Sequence, residues 1–408
     1  MKRRIGVVTV GRSDYGILYP LLRIIQNDSD CELCLIVAGA HLSPFHGNTI
    51  SEIERDGFPI SARVPMLVSG DAADSTAASI GLGVLNFANA LQAVRPDILI
   101  LLGDRFEVLA AAVSALPLRI PVGHIHGGEL TQGAIDDSIR HAISKLSHLH
   151  FAATPTYGRR IEQMGEASET VFVTGSPVID TILSEDPMTV NQLETELGAP
   201  VLNSILITYH PVTHEPESTR NRVAMLLDVL EQFDNDLIFT YPNADANNGI
   251  IVEQLRGFAA RNPRAHVFVN LGHRKYHSLQ RYIAAMVGNS SSGIIEAASF
   301  KLPVVNIGDR QKGRLRTPNI VDVPESSELI AAAIRQALSV DFRNSIARME
   351  SPYGKGGASQ RILQILKSVN LDNNVLKKHF IDWPYPESPC GDNGWPTGET
   401  RAKTAEPA

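Results

Sequence analysis

Cysteine is scarce in this chain, three in 408 residues, and the three do not form a framework. Cys31 and Cys34 make a single CxxC that runs into an apolar, strand-like stretch, and Cys390 stands alone near the carboxyl end. A zinc site or a disulfide scaffold needs a denser, paired set, so reduced thiols beside a strand are expected. Long apolar runs are missing as well, none reaching the ~20 residues of a membrane helix. At the amino end, Ile5 to Val10 is too short for a signal core and meets Gly11-Arg12 at once. Positive charge is in deficit, 37 Lys and Arg against 44 Asp and Glu, for a net charge of −7. That balance argues against a nucleic-acid surface while leaving room for a local basic pocket. Neither a GxGxxG fingerprint nor a P-loop is found, which disfavours a bound dinucleotide or ATP chemistry. A cytoplasmic protein is expected, with no nucleic-acid or membrane partner and no metal or cofactor.

What is present is an ordinary globular composition, 43% hydrophobic and 20% charged, in a chain long enough for two domains. Apolar β-rich runs at 5–10, 31–37, 98–102, 122–126, 149–153 and 171–174 alternate with helical patterns at 17–27, 81–94, 108–116 and 138–147. A polar break around 186–204 carries Pro187 and Pro200, and the alternation then restarts. Strands are expected at 205–209, 237–241, 266–269, 286–288 and 304–307, with helices at 219–233 and 329–338. The pattern predicts an α/β fold of two Rossmann-like parallel-sheet domains facing a cleft, at 1–185 and 203–358. Residues 383–408 hold five prolines and no periodicity and are expected to be disordered.

Ligands of open parallel sheets bind outside the carboxyl ends of the strands, and chemically distinctive residues gather there. Ile98-Leu99-Ile100-Leu101-Leu102 reads as a strand buried on both faces and ends in Gly103-Asp104-Arg105-Phe106-Glu107. The next strand ends in His124-Ile125-His126-Gly127-Gly128-Glu129, and Asp136-Asp137-Ser138-Ile139-Arg140-His141 follows. Carboxylates crowded at one cleft raise each other's pKa, which suits proton transfer near neutral pH. In the second half, His210-Pro211-Val212-Thr213 ends a strand where the halves should meet. These clusters make Asp104, His126, Glu129, Asp136, Asp137 and His210 the candidate acid–base residues.

Anion-binding features lie opposite. Gly11-Arg12-Ser13-Asp14-Tyr15 joins a strand to a helix, with Ser13 or Asp14 as the expected cap. Asn289-Ser290-Ser291-Ser292-Gly293-Ile294-Ile295-Glu296 opens another helix, whose hydroxyls and backbone amides suit a phosphate and whose Glu296 suits ribose hydroxyls. The next strand ends in a basic loop holding Arg310, Lys312, Arg314 and Arg316. Arg12, Asp14, Ser290, Ser291, Ser292, Gly293, Glu296, Arg310 and Arg314 are therefore the candidate nucleotide contacts. The division of labour fits proton abstraction from a nucleotide-linked substrate.

Taken in order, these stretches, with the turn Ser351-Pro352-Tyr353-Gly354-Lys355-Gly356-Gly357, resemble the hydrolysing UDP-N-acetylglucosamine 2-epimerases over roughly residues 4 to 380. The resemblance implies a GT-B fold, with a last helix at 359–380 crossing back to the first domain. It also implies a chemistry: a base takes the C2 proton as UDP leaves C1, and water adds to the resulting glycal to release a free manno-configured sugar. Arg12, Ser290, Ser291, Glu296 and Arg310 match the family's UDP-binding positions, and Asp104, Asp136, Asp137 and His210 its catalytic ones. Where some members carry a carboxylate, this chain has His126, so the resemblance leaves either His126 or Glu129 for that role. His-Ile-His-Gly-Gly-Glu is similar to members acting on 2,4-diacetamido-2,4,6-trideoxy sugars, which lead to legionaminic-type rather than sialic acids. A homodimer or homotetramer is implied. The alternatives are a non-hydrolysing epimerase, a GT-B glycosyltransferase and a non-catalytic sugar-nucleotide sensor.

Overall fold

A computed structural model describes residues 2–70, 73–212, 218–243, 245, 247–371 and 375–382. Thr213 and the tail 383–408 lie outside the described residues. The first sheet holds β1 (Arg3–Thr9), β2 (Cys31–Ala38), β3 (Ile60–Val64), β4 (Ile98–Leu102), β5 (Val122–Ile125), β6 (Leu149–Ala152) and β7 (Val171–Val173). All its pairings are parallel, in the order β3-β2-β1-β4-β5-β6-β7. The second sheet repeats the plan with β8 (Ile205–Thr208), β9 (Leu237–Thr240), β10 (Ala265–Phe268), β11 (Ala285–Gly288), β12 (Val304–Ile307) and β13 (Ile320–Val323). Its order, β10-β9-β8-β11-β12-β13, again reverses direction beside its first strand. In both sheets that reversal opens a crevice at the strand ends, between β1 and β4 and between β8 and β11.

β4 shows why its sequence is continuously apolar. Ile98, Ile100 and Leu102 point into a core shared with Leu18, Leu21 and Leu22 of helix Arg12–Asn27, while Leu99 and Leu101 point to Phe87 and Leu91 of helix Ala73–Val94. A strand covered on both faces has no polar face to spare. Ala73–Val94 differs from the sequence expectation: 22 residues long, with a mean hydropathy of 1.3 over an 18-residue window, it is long and apolar enough by length and composition to cross a membrane. Phe87 and Leu91 nonetheless seat it on the sheet. Cys31 and Cys34 both lie on β2 as free, buried thiols.

Ile362, Leu363 and Leu366 of the last helix, Ala358–Ser368, pack into the first sheet's core, so the chain returns to the first domain. That helix is shorter than expected: Val369 is already extended (ψ 134), ending it before 380. Residues 375–382 continue along the first domain without helix, the Lys378 ammonium donating to the Lys145 and Ser147 carbonyls at 2.8 and 2.6 Å.

Candidate active site

The first loop folds around its own acid. β1 ends at Thr9, and helix Arg12–Asn27 starts five residues earlier than the apolar pattern predicts, with Gly11 rather than Ser13 or Asp14 as its cap. Asp14, in the helix's first turn, turns back to accept hydrogen bonds from Thr9 Oγ1 (2.7 Å), Val10 N (2.8 Å) and Gly11 N (2.7 Å). Its carboxylate braces the loop rather than presenting itself to a ligand, and burial pushes its pKa up to about 6. Arg12, by contrast, crosses between the domains and donates to the Tyr241 carbonyl just after β9. Burial draws its guanidinium down to about 10, with Tyr276 and Glu52 opposing, a cation deprived of water.

Across the crevice, Ser290, Ser291, Ser292, Glu296, His210 and Arg310 line a cleft of ≈ 910 Å³ together with Arg12 and Ser13. The helix expected to open here is one turn, Ser292–Ile295, so its dipole is weak and backbone N–H groups and hydroxyls supply the polarity. Ser292 Oγ donates to Glu296 Oε2 at 2.8 Å, and Gly293 is buried behind the loop. Arg310 Nη1 and Gln311 Nε2 both donate to the Asn289 carbonyl, at 3.1 and 2.9 Å. The Asn289 amide in turn brackets the His210 backbone, accepting from its N–H at 2.7 Å and donating to its carbonyl at 2.9 Å. His210 Nδ1 accepts from Asn243 N at 3.3 Å. Burial first, then Arg310, push the His210 imidazole far below its usual range, so it is neutral with its proton on Nε2.

Beside His210 sits an ionic cluster that the sequence only half reveals. Arg105, from the loop after β4, pairs with Asp245, from the loop after β9, and its Nε lies 3.4 Å from Glu107 Oε2. Burial, then Asp245, push the Asp136 pKa up, with Arg310 and Arg105 opposing. Burial also raises Glu107 to about 7, against the Arg105 charge. Asp104 pairs with Arg140. The structure therefore brings Asp136 and His210 toward Arg310, and ties Asp104 to Arg140.

The remaining candidates are placed otherwise. His126 is buried at positive φ (65°), with Nε2 2.8 Å from Ser176 Oγ and Nδ1 3.0 Å from Glu129 Oε1. Glu129 is fully enclosed between His126, Arg314 Nη1 (2.8 Å) and Arg140 Nη1 (3.4 Å). Asp137 accepts the Thr131 N–H and faces His141 Nε2 at 3.6 Å. Arg314, expected on the nucleotide, is committed to Glu129. His126, Glu129 and Arg314 form a network that docks one domain on the other; beside it Gln132 N donates to the Lys312 carbonyl at 3.3 Å, and a Cβ on Gly133 would lie 2.7 Å from Arg310 Cα. Asp245 and Asn243 escaped the sequence reading, although both follow the carboxyl end of β9, where the strand-end rule would have pointed.

Against known proteins, residues 23–367 match the family model described as UDP-N-acetylglucosamine 2-epimerase. The chain is 43% identical over 385 residues to the GDP/UDP-N,N'-diacetylbacillosamine 2-epimerase (hydrolyzing) of Campylobacter jejuni, covering 93% of this chain and 99% of that one. It is 36% identical to the UDP-N,N'-diacetylbacillosamine 2-epimerase (hydrolyzing) of Legionella pneumophila, covering 93% and 99%. A UDP-N-acetylglucosamine 2-epimerase of Neisseria meningitidis is 32% identical, again over 93% and 99%. A UDP-GlcNAc 2-epimerase from Neisseria meningitidis, solved with UDP-GlcNAc bound, shares the two-domain fold at a TM-score of 0.75 and 18% identity, covering 90% of this chain and all of that one. The chain belongs to the UDP-N-acetylglucosamine 2-epimerase family.

Proposed function

We propose that this chain is a hydrolysing 2-epimerase of a UDP-linked 2,4-diacetamido-2,4,6-trideoxy sugar, releasing UDP and the free manno-configured sugar for nonulosonic acid synthesis. One observation carries the reading: the serine- and arginine-lined cleft shares His210, Arg310 and Arg12 with a cluster of buried acids. The choice of sugar rests on the names of the two relatives at 43% and 36% identity, against 32% for the UDP-N-acetylglucosamine enzyme.

In this reading a carboxylate, Asp136 or Asp104, removes the C2 proton. The C2–H electrons form the C1–C2 double bond, and the C1–O bond breaks with its electrons on the diphosphate. The acetamido group acidifies C2–H only weakly, so stabilising the departing charge is as important as the base. Arg310, Arg12 and the serine loop face that charge, and neutral His210 donates from Nε2 to the leaving oxygen. Water then adds its hydroxyl to C1 and a proton to C2 on the opposite face. Glu129, His126 and Arg314 act through the docking of the domains, Asp137 by holding the Thr131 turn, and Asp14 through the first loop. Residues 1–185 carry most of the acids and 203–358 most of the nucleotide contacts.

We place the enzyme in the cytoplasm as a homodimer or homotetramer, with exposed Leu82, Leu85, Val113 and Leu116 supplying an apolar face for the second copy. Sedimentation velocity tests that assembly, and a monomer at micromolar concentration would refute it. Proton NMR in D2O tests the reaction, with UDP-N-acetylglucosamine, its 2,4-diacetamido-6-deoxy analogue and the GDP form of that analogue in separate tubes. Free UDP and a manno sugar deuterated at C2, formed fastest from the UDP diacetamido substrate, is the expected result. Intact nucleotide sugars without C2 exchange would refute it.

A further inference from the structure

One buried histidine near the nucleotide cleft is unused by the mechanism above. Helix Gly272–Gln280 presents His277 to the cleft, with only 5% of its side chain exposed. Its Nδ1 lies 2.9 Å from Glu185 Oε2 and its Nε2 3.5 Å from Glu296 Oε2. A neutral imidazole has one N–H and can satisfy only one of two carboxylates. The imidazolium has two, so a ring with a carboxylate at each nitrogen is built for the charged form.

The two carboxylates have different stations. Glu185 closes helix Pro177–Ser184, on the segment that carries the chain from the first sheet to the second. One turn before His277, His273 Nδ1 takes the other oxygen of Glu185, and its ring lies 4.7 Å from that of Tyr19 on helix Arg12–Asn27. Glu296 belongs to the cleft. Among the described residues, the side chains that contact its carboxylate, Ser292 Oγ, Gln280 Nε2 and His277 Nε2, all meet Oε2. Oε1 is left for a ligand donor.

We infer that His277 is a positioning residue for nucleotide recognition: an imidazolium clamped between Glu185 and Glu296 that holds the Glu296 carboxylate turned toward a ribose hydroxyl. The inference rests on the nucleotide reading of this cleft. Burial works against the charge, yet the two carboxylates push the His277 pKa up to about 9, and hydrogen bonds from His273 and His277 overcome burial to hold Glu185 down to about 2. Among the described residues, Tyr276 adjoins the ring on its own helix, His273 shares Glu185, Arg12 lines the same cleft from the first domain, and Phe300 packs at 6.3 Å between centroids. The clamp is therefore charged at neutral pH and fails as pH rises through about 9.

Calorimetric titration of the full chain with UDP, 2′-deoxy-UDP and 3′-deoxy-UDP reads the ribose contact directly. A charge-assisted hydrogen bond predicts that UDP binds roughly tenfold or more tighter than at least one deoxy form. In His277→Leu that preference should fall to about threefold or less, because an unclamped Glu296 no longer points at the hydroxyl. Glu185→Gln should lower it in the same direction. The wild type should lose the preference between about pH 7.5 and about pH 10, and base and phosphate titrations cancel in the ratio. The pH series stands even where His277→Leu fails to fold. A preference that survives substitution or persists at high pH, or a wild type that never discriminates, overturns the inference. Failure to bind any of the three ligands overturns the nucleotide reading itself.

Discussion

Glu129→Gln separates two roles for the most enclosed carboxylate in the molecule. Glutamine keeps the shape, so no cavity opens, but the charge facing Arg314 at 2.8 Å, His126 at 3.0 Å and Arg140 at 3.4 Å is lost. Arg140 keeps Asp104, the Thr131 hydroxyl at 2.9 Å and the His126 carbonyl at 3.1 Å. Arg314 has no such reserve: Glu129 is the only carboxylate paired with it among the described residues. Breaking a buried pair on one side costs about 3–5 kcal/mol. For a cooperative unit of ordinary domain size, that corresponds to a melting temperature lower by roughly 10 °C. Calorimetry at neutral pH measures it. Removing the stranded cation as well, in Glu129→Gln with Arg314→Met, should recover part of the loss, so the double variant is less destabilised than the sum of the singles. The sign with pH follows from the same contacts. Burial opposes the Glu129 charge, but Arg314 and His126 hold its pKa below the usual carboxylate value, so its stabilisation is present at neutral pH and lost in acid. The variant should lack that acid-side loss. A variant that melts within about 2 °C of the parent but has lost turnover would refute this reasoning and make Glu129 a proton carrier.

Asp136→Asn should lower turnover by roughly 10²–10⁴ while leaving UDP affinity within about twofold, as expected for a general base; a larger turnover loss in Asp104→Asn than in Asp136→Asn would move that role to Asp104. Arg310→Ala should weaken UDP binding roughly tenfold or more by calorimetry, the scale of a charge-assisted hydrogen bond, and unchanged affinity would remove Arg310 from the site. Glu107 carries a burial-raised pKa of about 7, so folding is favoured by its protonated form and stability should fall as pH climbs through that value. Glu107→Gln should flatten that slope in urea unfolding between about pH 5 and about pH 8, and an unaltered slope would place the titration elsewhere.

Both sheets were legible because their inner strands are apolar on both faces. The two strands that escaped, β3 and β13, are edge strands. Ile60–Val64 buries only Val64 fully, and Ile320–Val323 has no fully buried residue, so neither carries the continuous apolar signal of β4. Helix Arg12–Asn27 was cut short for a related reason. Its first turn is set by Asp14 folding back on Val10 and Gly11, an acid–backbone contact that hydrophobic periodicity does not register. Ser290, Ser291, Ser292 and Glu296, which line the cleft, were legible because they all follow the end of one strand, β11. Asp245 was not, since its importance depends on Arg105, 140 positions away on the other sheet.

The same dependence limits the expectation that crowded acids raise one another's pKa, which holds for Asp136 and Glu107, both raised by burial first and then in part by Asp245. Three others are individually paired: Asp104 with Arg140, Glu129 with Arg314 and Arg140, and Asp245 with Arg105. Spacing along the chain revealed the carboxylates but not these partners, which arrive from other strand ends and from the second domain. Asp245 accordingly has its pKa lowered, Arg105 prevailing over burial, while Asp136, with Arg310 and Arg105 acting only from nearby, is pushed up by burial and by Asp245 itself. Two acids at one crevice thus have their affinities for a proton driven apart, which is the condition for one to hold charge while the other exchanges protons. On the proposed mechanism Asp136 is the better base of the two named for the C2 proton, since Asp104 would have to give up its pairing with Arg140 when it acts.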